Sequence, residues 1–150
     1  PDRDLVRFSF FDALAFNVLV GGTDAHAKNY SLLLRGSRVA LAPLYAVASY
    51  APYLSKGEAA RSSMKMGRTW QVRDLAVQDW ADVGTSLGLD PDDALSRVER
   101  LRVGLPEALA AAADEAPEPF AGGARRVADA IARQGHLKAR HLPGATRRRG

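Results

Sequence analysis

The sequence predicts a mainly α domain, a helical bundle with one small β-hairpin near its beginning. Three observations predict it. Leu5, Phe8, Phe11, Ala15, Val18 and Leu19 recur at helical spacing. Asp90-Pro91-Asp92-Asp93 reads as a helix start, with a capping acid, a proline in the first turn and acids favoured by the helix dipole. One pair of short apolar runs, Tyr30 to Leu34 and Arg38 to Ala42, flanks Arg35-Gly36-Ser37, which is the pattern of a hairpin.

Taken in order, the first helix runs from Asp4 to Val20 and stops at Gly21-Gly22, because paired glycines favour turn geometry. Thr23 to Lys28 is a short polar loop, and the hairpin follows until Pro43 ends its second strand. Residues 44–72 carry Pro52, Gly57 and Gly67 and are expected to be irregular. Within them Met64 and Met66 alternate around Lys65, as packing residues beside a lysine that is either solvated or faces substrate or phosphate. A helix from about Val77 to Leu87 places Trp80, Val83 and Leu87 on one face, with Gly88 at its stop. Trp70 and Trp80 read as core or rim aromatics.

The helix that starts at Asp90 buries Ala94, Leu95, Val98, Leu101 and Leu105. Pro106 is expected to kink or restart it, with an alanine-rich continuation to about Asp114. Glu115 to Pro119 is a breaker. A last helix spans about Gly123 to Gln134 with Val127 and Ile131 inward. Pro143 to Gly150 has too little apolar content to order itself. The expected division is thus one domain over 1–142 and a disordered basic tail over 143–150.

Composition sets the outer bounds. A chain of 150 residues with a hydrophobic fraction of 47% fits one globular domain. Without cysteine it has neither disulfides nor thiolate metal ligands. The three histidines, His26, His136 and His141, leave little for a multi-histidine centre. Phe10 to Gly22 is the longest apolar stretch; Asp12 and Asn17 interrupt it, and it is too short to span a bilayer. It has no basic leader, so a cytoplasmic location without membrane association is expected. The net charge of +4 is uneven: residues 121–150 carry +7 and the first 120 residues −3. That tail is either a solvated end or a contact for nucleic acid or an acidic partner.

The chemistry concentrates in Gly22-Thr23-Asp24-Ala25-His26-Ala27-Lys28-Asn29-Tyr30-Ser31, between a helix and a hairpin that would hold a working loop. Asp24 and Asn29 have the separation of protein-kinase catalytic loops, in which the aspartate accepts the substrate hydroxyl proton and the asparagine holds Mg²⁺. Phosphoryl transfer asks little covalent chemistry of the protein, so hard oxygen ligands and a positioned carboxylate suffice. Lys28 adds a positive charge that could meet the transferring phosphate. Two plainer readings use the same residues. The run could be only a turn, or Asp24 and His26 could be two ligands of a hydrolytic metal site that still needs a third.

This run, together with Asn17, Leu41-Ala42-Pro43-Leu44-Tyr45 and Met64-Lys65-Met66-Gly67, resembles the HipA-like serine/threonine kinases. The resemblance covers about Asp4 to Leu105. It implies a protein-kinase-like C-terminal lobe acting with ATP and Mg²⁺. Asp24 takes the place of the catalytic base and Asn29 of the Mg²⁺ ligand, with His26 and Lys28 as loop companions. It implies a toxin of a toxin–antitoxin pair, a DNA-binding antitoxin as partner and an aminoacyl-tRNA synthetase among its targets. The family pattern continues Pro-x-Tyr-Asp, whose aspartate is the second Mg²⁺ ligand; here Pro43-Leu44-Tyr45 is followed by Ala46. The glycine-rich phosphate loop and strand lysine of a kinase belong to an N-terminal lobe, which this resemblance does not reach. The expectation is a lobe inactive by itself, with a non-catalytic pseudokinase that binds protein or nucleic acid as the alternative.

Overall fold

The computed structural model describes residues 2–55, 58 and 60–134. The proposed tail over 143–150, and with it His136 and His141, lies outside them. Four helices carry the fold: α1 (Asp2–Val20), α2 (Val77–Ser86), α3 (Pro91–Asp114) and α4 (Ala121–Ala132). Between α1 and α2 lie two antiparallel hairpins, β1–β2 (Leu32–Arg35, Arg38–Leu41) and β3–β4 (Arg61–Met66, Thr69–Gln71), in separate sheets. No helix among the described residues is long and apolar enough to cross a membrane.

The expectation of one hairpin is therefore corrected to two. Turn residues made 44–72 look irregular, yet Gly67 has a φ of 57° and links Met66 to Thr69 across a two-residue connection. A side chain there would also collide: a Cβ on Gly67 would lie 2.6 Å from that of Asp79. Met66 is buried and Lys65 exposed, as the alternation around Lys65 indicated. The first hairpin starts at Leu32 rather than Tyr30, because the side chain of Tyr30 is engaged with α1 instead.

Helix α1 is central rather than amphipathic. From Phe11 to Val20 its side chains are buried except for the half-buried Asp12 and Phe16, which is how a helix enclosed by its neighbours reads. Leu5, expected on its apolar face, is 66% exposed because the helix projects from the core there. Phe11, Leu14, Ala15 and Val18 meet Trp80 and Val83 of α2, Ala94 and Val98 of α3, and Met66 of β3. Trp80 lies edge-on to Phe11, whereas Trp70 sits on the surface. A second cluster joins Leu19 and Val20 to Leu105 and Ile131. Full burial of each such side chain is worth roughly 1.5–3 kcal/mol. Arg97 adds a two-pronged ion pair from α3 to Asp12 of α1, at 2.7 and 2.8 Å.

Asp90 caps α3 as its sequence indicated, accepting from the N–H groups of Asp92 and Asp93. Pro106 does not restart the helix. Leu105, Leu109 and Ala113 pack the second half of α3 inward and carry it through the missing N–H. Helix α4 begins at Ala121, and its inward stripe is Ala124, Ala128 and Ile131; Val127 lies one step off it and is exposed.

Asp79, buried in the first turn of α2, joins that helix to the second hairpin. Its carboxylate accepts from Ala76 N–H, Arg68 N–H and Arg68 Nε, at 2.9, 2.9 and 3.1 Å. Burial pushes its carboxyl up, but these bonds and the guanidinium charge outweigh burial and hold it below the usual value. A lowered folded value stabilises the protein above the unfolded value of about 3.9, and this contribution is lost as pH falls through the folded value. Asp79→Asn is expected to cost about 1.5–3 kcal/mol at pH 7 in urea unfolding. The gap from the parent should close on going below pH 4; a gap independent of pH would contradict the role of the charge.

Candidate functional site

The loop between α1 and β1 is held from both ends. At its start the N–H groups of Gly21 and Gly22 bond back to the carbonyls of Val18 and Asn17, at 3.1 and 2.7 Å, and Gly21 takes a φ of 74°. This double closure satisfies helix carbonyls that would otherwise be orphaned. Asn17 is buried beneath it. Its Nδ2 donates to Ala13 O at 3.0 Å and to the Tyr30 hydroxyl at 3.1 Å, so one amide ties the helix to the far end of the loop. Gly22 passes so close that a Cβ would lie 2.7 Å from Asn17 Oδ1. Burial pushes the Tyr30 phenol above its ordinary value, against the opposing effect of the Asn17 bond.

Within the loop, Asp24 O accepts from His26 N–H at 2.8 Å and from Asn29 Nδ2 at 3.0 Å. Asn29 is thereby oriented on the backbone of the residue it was expected to work with. Ala27–Asn29 forms a single 3-10 turn. Asp24 and Lys28 are exposed, while His26 and Asn29 are half-buried. His26 Nδ1 is buried without a hydrogen-bond partner. Among the described residues no ion pair joins Lys28 to Asp24.

Two further strips close on the loop. The Tyr45 hydroxyl donates to Lys28 O at 2.8 Å and lies 3.0 Å from Ser31 Oγ. This brings the Pro43-Leu44-Tyr45 strip beside the loop, with exposed Ala46 next in line. Ala46 has a φ of 52°, in the left-handed region that alanine rarely adopts. Further along, Ser49 Oγ donates to Val20 O and Tyr50 N–H to Gly21 O. From the other side Ser63 of β3 donates both its N–H and its Oγ to Thr23 O, at 3.0 and 2.5 Å.

Asp24, Asn29, Lys28 and Tyr45 thus belong to one hydrogen-bonded assembly, with position 46 following Tyr45 in the chain. The hydroxyl of Tyr45 and Ser63 are parts of it that spacing alone does not announce. The donors suit Mg²⁺ only in part: Asn29 Oδ1 is a hard oxygen, and position 46 supplies none. No group of three or more His, Cys, Asp and Glu suited to a metal occurs among the described residues, so the Asp24–His26 metal site finds no third ligand there. A mostly apolar cleft of about 310 Å³, whose lining includes Arg7, Phe10, Tyr30, Ser31, Leu32 and Leu87, does not count Asp24 or Asn29 among its lining residues.

If Asn17 fixes the loop, Asn17→Ala should cost about 2–4 kcal/mol, since it removes two bonds and leaves the Tyr30 hydroxyl unpaired. Tyr30→Phe alone should cost less. A double-mutant cycle by urea unfolding should give a coupling near 1 kcal/mol; additive effects would show that the Asn17–Tyr30 bond contributes nothing.

With this geometry in view, known proteins can be compared. The family model of the HipA-like C-terminal domain matches residues 3–109. "Putative kinase Y4mE" of Sinorhizobium fredii (strain NBRC 101917 / NGR234) is 26% identical over 139 residues, covering 91% of this chain and 32% of that protein. "Putative kinase Y4dM" of the same strain is 32% identical over 98 residues, covering 62% and 24%. Among solved structures, a chain of the Shewanella oneidensis MR-1 toxin–antitoxin complex of HipA, HipB and operator DNA superposes with a TM-score of 0.71 at 23% identity. That match covers 93% of this chain and 33% of the other. The chain spans about a third or less of the length of these relatives. The match over residues 3–109, with the shared fold, makes this chain a member of the HipA-like C-terminal domain family.

Proposed function

We propose that this chain is the catalytic-loop lobe of an ATP-dependent serine/threonine protein kinase, a protein-kinase-like C-terminal lobe whose metal site is one carboxylate short. The observation that carries the reading is the hydrogen-bonded assembly around Asp24 and Asn29. The exposed Asp24 carboxylate is open to a substrate hydroxyl, orients it and accepts its proton as the oxygen attacks phosphorus. Asn29, oriented through Nδ2, keeps Oδ1 as the oxygen that would hold Mg²⁺, which supplies charge neutralisation when bound. Lys28 offers positive charge to the transferring group, and His26 is a loop companion.

The backbone at position 46 supports the view that an aspartate is missing there. Aspartate and asparagine are several-fold enriched in the left-handed region, whereas alanine in a sparsely populated conformation costs about 1 kcal/mol or more. Ala46 equally favours a second reading, a non-catalytic pseudokinase that binds protein or nucleic acid. The names of the relatives support the kinase class. The HipA–HipB–operator complex supports a DNA-binding antitoxin as partner. ATP as donor, an aminoacyl-tRNA synthetase as target, the N-terminal kinase lobe as partner and a cytoplasmic setting complete the proposal.

The test restores the carboxylate. Joined to a kinase N-terminal lobe, Ala46→Asp is expected to raise Mg²⁺-dependent phosphorylation on the order of 100-fold, the scale of one preorganised electrostatic group. Asp24→Asn in the restored protein should remove most of the gain, because an amide is a poor proton acceptor. Thermal melting should show the restored protein as stable as the parent. A folded Ala46→Asp protein that binds Mg-ATP and transfers phosphate no faster would overturn the assignment of position 46.

A further inference from the structure

The solvent face of β3 carries a feature that the loop chemistry does not use. The pairing of β3 with β4 is irregular between Arg61 and Met66, but Arg61, Ser63 and Lys65 are exposed and alternate with half-buried Ser62 and Met64, so they form one row. Ser63, in the middle, is bonded to Thr23 O, the carbonyl immediately before Asp24. The two cations therefore flank a point one residue from the proposed base, each about 7 Å along the strand from Ser63. Neither forms an ion pair among the described residues. Trp70 of β4, 41% exposed, lies under the Arg61 guanidinium, whose carbon is 5.3 Å from the ring centroid. That stacking holds the arginine head in place while leaving its N–H groups free to donate.

The row is local. Residues 1–120 sum to −3, so these cations are not part of a generally basic body. We infer that the Arg61–Ser63–Lys65 row, backed by Trp70, docks an extended acidic segment of the protein substrate alongside Asp24. The inference rests on the kinase reading for the identity of the acceptor, and it names the flanking sequence that the site selects. An extended peptide advances about 3.3 Å per residue, so carboxylates about two to three positions on either side of the acceptor serine or threonine would fall over the two cations. Guanidinium and ammonium groups there would pair with those carboxylates, and the pairing would weaken with salt.

Direct binding of the 150-residue chain in the absence of nucleotide tests this. The probe is a fluorescein-labelled peptide with a central serine flanked by aspartates and glutamates. Controls are the same peptide with the acids changed to asparagine and glutamine, and a single-stranded DNA of equal net charge. Fluorescence anisotropy at low salt should show the acidic peptide binding at least tenfold more tightly than the amide peptide and more tightly than the DNA. Arg61→Glu with Lys65→Glu, checked for folding by circular dichroism, should lose at least tenfold. An unlabelled acidic peptide should change the tryptophan emission of the parent but not of Trp70→Phe.

Equal binding of acidic and amide peptides, an unaffected double variant, or tighter DNA binding that depends on the same two cations would each overturn the inference. Asp24→Asn, which removes a negative charge beside the row, should bind the acidic peptide at least as tightly as the parent. A chain that docks the peptide but, joined to a kinase N-terminal lobe, never transfers phosphate even with Ala46→Asp retires only the kinase reading. One that transfers phosphate without regard to flanking acids retires only the docking inference.

Discussion

The site depends on the side-chain amide of Asn17. A buried amide must be hydrogen-bonded, and this one spends its N–H groups on its own helix and on Tyr30, thirteen residues away. The backbone carbonyl of the same residue receives Gly22, so Asn17 holds the loop's beginning through its main chain and its end through its side chain. Closing a loop costs entropy, and a buried polar link with no water to compete for it is an effective way to offset that cost. Once the ends are fixed, the short span from Thr23 to Asn29 has few conformations left. The hydrogen bonds around Asp24 O then select among them.

The rest of the fold supplies rigidity to that arrangement. Helix α1 is enclosed by α2, α3 and β3, and the Asp12–Arg97 ion pair joins its middle to α3. Asp79 locks the second hairpin to α2, which sets where β3 runs and hence where Ser63 meets Thr23. The first hairpin leads into the strip that returns Tyr45 to Lys28. The Asp24 carboxylate and Lys28 remain exposed on a loop anchored from beneath by the buried Asn17.

Much of this was legible in the sequence. Helix ends marked by Gly21-Gly22, Gly88 and Asp90-Pro91 were read correctly because local backbone chemistry decides them. The loop run was legible because residue type and spacing together restrict its chemistry. The second hairpin was missed because Gly67 served equally as a sign of irregularity and of a tight turn; the contact with Asp79 that decides it is invisible locally. The restart expected at Pro106 does not occur for a related reason, since packing of Leu105 and Leu109 carries the helix through the proline. Val127 was placed inward by size, while the actual inward stripe of α4 is mostly alanine. The tethering by Tyr45 and Ser63 spans 17 and 40 residues and has no local signature.

The central proposal is that Asn29, beside the proposed base Asp24, is half of a Mg²⁺ site whose other half is absent at Ala46. Paramagnetic broadening by Mn²⁺, which shares the oxygen-ligand preference of Mg²⁺, tests it without requiring transfer chemistry. Two-dimensional nitrogen–proton spectra of the parent chain and of Ala46→Asp would be titrated with Mn²⁺ in parallel. The account predicts that in Ala46→Asp the Asn29 side-chain amide and the backbone amides near residues 24 and 46 broaden first and together, and that excess Mg²⁺ reverses the effect. The parent should show no such selective loss at the same Mn²⁺ concentration. Identical broadening patterns in the two proteins, or loss in Ala46→Asp confined to residues remote from Asn29, would contradict it.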